Sequence, residues 1–103
     1  MKPPNECLNI QDIRFEIDRV DRQIVAAFGK RFEYVKAASK FKTNEASVKA
    51  PERFKSMLKQ RRIWAEAEGL NPDVIEKIYQ DLVNYFIQEE LKDWQSKPED
   101  YLA

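Results

Sequence analysis

The sequence predicts an all-α protein, and three observations carry that prediction. Apolar residues recur at spacings of three and four, the period of one helical face. Only two of the 103 residues are glycine, while 35% are charged. The turn-rich spacing expected of a sheet protein is absent. With 43% hydrophobic residues, the chain fits a single domain over residues 1–103 that buries a modest core, so oligomerisation would add to its stability.

The first helix begins at Ile10 and carries Ile13, Ile17, Val20, Ile24, Ala27, Phe28, Val35 and Ala38 along one stripe. The pattern predicts a long helix continuing to about Lys42. Residues 43–51, TNEASVKAP, then break it with small and polar side chains, which predicts a mobile connection ending at Pro51, a residue suited to a first helical turn. A second, short helix places Phe54, Leu58, Arg61 and Ala65 on one face, with Met57 and Trp64 beside them, and Gly69 is its natural stop. Asn71 as cap, Pro72 in the first turn and Asp73 beside the helix dipole open a third helix through about Trp94. The tail, residues 96–103, is expected to fray.

Composition excludes several classes of function. The 18 basic residues balance 18 acidic ones, which argues against a nucleic-acid or anionic-membrane partner. The charge is unevenly placed, however: residues 30–62 hold 11 Lys or Arg against 3 Glu, whereas residues 71–103 hold 3 Lys against 8 acids. A cationic middle of this kind needs an anionic counterpart. There is no histidine, which removes the commonest general base and His-ligated zinc. The one cysteine, Cys7, leaves neither an internal disulfide nor a cysteine metal cluster. No stretch is long and apolar enough to span a bilayer, and the start lacks a signal-peptide pattern, so a cytoplasmic protein is expected.

Two cations and one acid interrupt the apolar faces. Arg31 follows Ile24 by seven residues and Lys42 follows Val35 by seven, so a continuous helix carries both on the core-facing stripe, about 16 Å apart. Unpaired burial of such groups is costly, and each needs an acid or a bound anion. The ordinary alternative is that they snorkel to solvent or pair with Glu33, Glu45 or the acidic third helix. Glu90 stands on the face of Val83, Ile87 and Trp94, where an apolar residue belongs. It is either half of a buried ion pair or, held neutral by apolar surroundings, a hydrogen-bond donor to a ligand oxygen. Arg14 lies about 25 Å from Arg31 along a straight helix, so only an antiparallel second chain would bring the two to one small ligand. Arg53, one turn into the second helix, has solvation as its ordinary alternative.

Four stretches then stand out together: IRFEIDRVDRQIV (13–25), GKRFEYVKAASKFK (29–42), APER (50–53) and RIWAEAEGL (62–70). They resemble the isochorismate-pyruvate lyases of salicylate biosynthesis, relatives of the all-α chorismate mutases, from about Ile10 to Trp94. The resemblance implies an intertwined homodimer of three-helix subunits whose two active sites each use the first helix of both chains. It implies that Arg31 and Arg14 of the partner subunit grip the carboxylates of a small dianionic substrate. Lys42 would close over the ligand near its ether oxygen, Arg53 would be a further site arginine, and Ala38 and Ile87 would line the wall. The implied reaction turns isochorismate into salicylate and pyruvate by a pericyclic elimination, with weak chorismate mutase activity and without cofactor or metal.

Two positions bear on that implication. Phe54 stands where bacterial chorismate mutases have a glutamate, which resembles the lyases. Glu90 stands where the lyases have a glutamine that donates to the ether oxygen. An ionised Glu90 accepts rather than donates, so the resemblance implies that it works only when protonated. The alternatives are a dedicated chorismate mutase and a non-catalytic helical dimer of the same fold.

Overall fold

A computed structural model describes residues 1–95, with the side chains of Trp94 and Gln95 left out. The expected frayed tail and the place of Trp94 on its helix face lie outside the described residues. Within them every regular element is helical, as the spacing predicts. It comprises α1 (Ile10–Ala38), α2 (Glu45–Lys49), α3 (Pro51–Ala67) and α4 (Pro72–Gln95), with 3-10 turns at Pro4–Glu6 and Ser39–Phe41. Two compact units form, one over Met1–Tyr34 and one from Val35 onward.

The first unit is the 3-10 turn and most of α1. Asn9 caps α1 by accepting the Asp12 amide at 2.8 Å, and Asp12 reaches back to accept the Leu8 amide at 3.0 Å. This reciprocal arrangement satisfies amides that a helix start otherwise leaves unpaired. The Leu8 amide, helped by Lys2 at 3.5 Å, holds the Asp12 carboxyl below its ordinary value against the opposing effect of burial. No residue of α1 is buried. Along its apolar stripe Ile10, Ile17, Val20 and Ile24 remain 39–52% exposed, so this helix shows a long uncovered apolar face.

α1 stops short of the predicted Lys42. The Ser39 hydroxyl donates to the Lys36 carbonyl at 2.6 Å, and the Lys42 amide closes a tight turn onto the Ser39 carbonyl at 3.2 Å. A side chain that competes for helix carbonyls turns the last residues into a 3-10 segment. Lys42 is therefore in extended backbone, φ −99° and ψ 132°, and its place does not follow from the α1 register.

In the second unit, the segment expected to be a mobile connection contains α2. Asn44 caps it by accepting from both the amide and the hydroxyl of Ser47, at 2.8 and 3.0 Å. Its one buried residue, Val48, is 2% exposed, and α2 packs on α4. Ala50 ends α2 in the left-handed region, φ 39°, and Pro51 opens α3.

α3 and α4 form the main packed pair, with Met57, Ala65, Phe86 and Leu91 in the core. Gly69 ends α3 as expected. At φ 73° it lets its own amide reach the Glu66 carbonyl at 3.1 Å and the Leu70 amide reach Ala65 at 2.8 Å. This double closure satisfies the last carbonyls of the helix. Arg62 ties the start of α4 to α3 by donating to Asp73 at 2.8 Å and Glu76 at 2.9 Å. Arg61, on the expected apolar face, stacks its guanidinium 4.6 Å from the Trp64 ring centre and 5.5 Å from that of Tyr79. Burial lowers its pKa from the ordinary guanidinium value, against the opposing pull of Tyr79, and Arg53 adds to the lowering.

Candidate active site

The expected site residues divide between the units. Arg14 and Arg31 belong to the first, the former exposed and the latter half-buried. Ala38, Lys42, Arg53, Ile87 and Glu90 belong to the second.

Within the second unit the structure brings two of them into contact. Glu90 rises from the buried side of α4, between Phe86 one turn earlier and Leu91, and is only 3% exposed. The Lys42 side chain, 22% exposed, places Nζ 2.8 Å from Glu90 Oε2. The approach is close, but its angle is not that of a hydrogen bond, and Oε2 is otherwise a buried acceptor without a hydrogen-bond donor. The pair is held chiefly by charge, and in a poorly solvated setting that attraction is stronger than at the surface. The 3-10 turn after α1 makes the contact possible, because it releases Lys42 from the helix before α2 begins.

Of the remaining three, Ala38 ends α1 four residues before Lys42, Arg53 lies near the start of α3, and Ile87 precedes Glu90 by three residues on α4. Ile87, one turn before Leu91, is half-buried, whereas Ala38 and Arg53 are exposed. Arg53 lies in the first turn of α3, and its field reaches Arg61. Phe54, beside it, is half-buried. Lys42 and Glu90 both interrupt apolar patterns in the sequence, and the acidic third helix is among the partners expected for Lys42. The contact of Tyr79 with Arg61 crosses from α3 to α4 and leaves no periodic mark in the sequence.

A separate groove of about 300 Å³ lies in the first unit, lined by Met1, Pro4, Cys7, Ile13, Ile17 and Val20 among others. None of the expected site residues lines it. It is part of the uncovered α1 face, covered at one end by the N-terminal turn.

Chemically, the Lys42 and Glu90 arrangement offers a partly desolvated ammonium group that can bind a carboxylate, next to a buried carboxyl group that can accept or, when protonated, donate. With no histidine in the chain, what the arrangement offers is placed charge rather than an imidazole base.

Comparison with known proteins gives the family. Residues 13–91 match the family described as chorismate mutase type II. The chain is 46% identical over 94 residues to the isochorismate pyruvate lyase of Pseudomonas aeruginosa, covering 91% of this chain and 93% of that protein. It is also 38% identical over 81 residues to the T-protein of Haemophilus influenzae, of which it spans 20%. A T-protein of Enterobacter agglomerans is 39% identical over 67 residues and is spanned to 18%. An all-helical chain with a long first helix, matched over most of its length, belongs to the chorismate mutase type II family.

Proposed function

We propose that this chain is an isochorismate pyruvate lyase that acts as a homodimer in the cytoplasm, with a weak chorismate mutase side activity. The observation that carries the reading is the match to the Pseudomonas aeruginosa lyase, 46% identical over 94 residues that cover 91% of this chain and 93% of that protein. The half-buried Lys42 beside a buried acid supports it, as a cation in the setting a small dianion requires. Among the described residues no helix is long and apolar enough to cross a membrane.

The proposed reaction is balanced within the substrate. The ether C–O bond breaks, a ring hydrogen moves to the enolpyruvyl methylene, and the two fragments leave as salicylate and pyruvate. No nucleophile, cofactor or metal takes part. Catalysis rests on holding the reactive conformer and on stabilising negative charge at the departing oxygen. In this reading Arg31 and Arg14 of the partner subunit bind the carboxylates, and Lys42 faces the ether oxygen and an adjacent carboxylate. Arg53 adds a further cation, Glu90 donates to the ether oxygen when protonated, and Ala38 and Ile87 form apolar wall. The uncovered stripe on α1 supports a second chain laid along it, since Ile10, Ile17, Val20 and Ile24 remain substantially exposed on one subunit.

The family description favours a second reading, a dedicated chorismate mutase that makes prephenate. Purified protein incubated separately with isochorismate and chorismate distinguishes them by product. The lyase reading expects salicylate and pyruvate in equal amounts from isochorismate, with much slower prephenate formation from chorismate. Prephenate alone would make the protein a mutase, and no product from either substrate would overturn both readings.

A further inference from the structure

One cation of the second unit is desolvated without a counter-ion. Arg61 is half-buried on α3, and its Nε is closed off from solvent with no hydrogen-bond acceptor. Among the described residues no carboxylate pairs with it, whereas its chain neighbour Arg62 holds both Asp73 and Glu76. The other cations of α3, Arg53, Lys55 and Lys59, are exposed, so water solvates them. Burial is the largest cause of the lowered Arg61 pKa, Tyr79 opposes it, and the like charge of Arg53 adds to it. An anion is what such a setting lacks.

Stacking explains how Arg61 is accommodated on an apolar face, but it does not neutralise the charge. The guanidinium carbon lies 4.6 Å from the Trp64 ring centre and 5.5 Å from that of Tyr79, and neither side chain supplies a carboxylate. The rings hold the guanidinium in place, which reduces the ordering a ligand must impose. With the indole against the guanidinium and Nε closed off, the two terminal nitrogens form the edge left for a ligand. That edge matches two oxygens of one carboxylate or phosphate group.

We propose that Arg61, held against Trp64 and Tyr79, is a further small-anion site of this protein, which binds a carboxylate or phosphate group through the outer edge of the guanidinium. The site does not draw on Lys42 or Glu90, and it stands or falls independently of the lyase reading.

The indole N–H signal of Trp64 in proton–nitrogen correlation spectra reports on the cation against its ring. The chain has two tryptophans, and Trp94→Phe identifies which signal is which. Sodium phosphate and sodium acetate are titrated separately, with ionic strength held constant by sodium chloride. At least one of them is expected to move the Trp64 signal to saturation, and the one that does so names the ligand class. Binding should be about tenfold to a hundredfold weaker in Arg61→Gln, which removes the charged donor. Arg61→Lys, which keeps the charge but not the fork, should fall between the two, and Lys42→Ala should bind as the wild type does. A Trp64 signal that neither anion moves would overturn the proposal. So would a response that survives Arg61→Gln or disappears in Lys42→Ala, since either would place the anion elsewhere. Should the glutamine variant fail to fold, the wild-type titration and its comparison with Arg61→Lys decide, equal affinity in those two proteins counting against the site.

Discussion

At the scale of single residues, the sequence marks the anomalies and the structure supplies their partners. Glu90 is conspicuous because a carboxyl group interrupts an apolar spacing, and it is indeed buried at 3% exposure. An ion pair between Lys42 and the acidic third helix is among the alternatives the sequence offers, but that Glu90 is the partner is not legible, since Lys42 leaves the α1 register in a 3-10 turn set by Ser39. If Glu90 must be protonated to donate to the ether oxygen, wild-type turnover falls as pH rises. Glu90→Gln removes that slope and raises activity at neutral pH. A pH-rate profile of both proteins checks this, and a flat wild-type profile would contradict it. Arg61 is a different case, a cation whose position on an apolar face has a structural explanation. Its stacking on Trp64 and Tyr79 predicts that Arg61→Ala costs about 1–2 kcal/mol in urea unfolding. Arg61→Lys should recover only part, because an ammonium does not stack as a planar guanidinium does.

At the scale of elements, boundaries with strong local chemistry are readable and those set by short-range competition are not. Pro51, Gly69 and the Asn71, Pro72 pair bound α3 and α4 where the sequence places them. α2 escapes detection because five residues are too few to establish a 3.6-residue period, although its Asn44 cap is present in the sequence. The end of α1 is misplaced for a related reason, since an apolar pattern carries no information about the Ser39 hydroxyl. Gly69 offers a direct check on the α3 terminus. At φ 73° an added Cβ is strained by about 1–2 kcal/mol. Gly69→Ala should therefore lower the melting temperature by about 4–8 °C for each kcal/mol. Scanning calorimetry measures this, and an unchanged melting temperature would show that the left-handed turn is not maintained in solution.

At the scale of the whole molecule, the open question is what covers α1. The helix buries none of its own residues, and its apolar stripe is the longest in the sequence. The sequence shows the stripe but not its partner, because an isolated period specifies a face and not what packs on it. A homodimer predicts a sedimentation mass of twice 12.2 kDa. Val20→Asp, which places a charge in the middle of the stripe, should reduce the dimer and the salicylate activity together. A dimer indifferent to that change would place the interface elsewhere.

In the proposed homodimer each catalytic site is built from two chains, with Arg14 of one subunit completing a site that holds Lys42 of the other. Arg14→Ala and Lys42→Ala proteins, each expected to be nearly inactive, can be unfolded together and refolded as a mixture. Half of the dimers then carry one intact site of two, so the account predicts recovery of about a quarter of wild-type salicylate formation. Activity in the mixture no higher than the average of the two separate proteins would contradict a shared site.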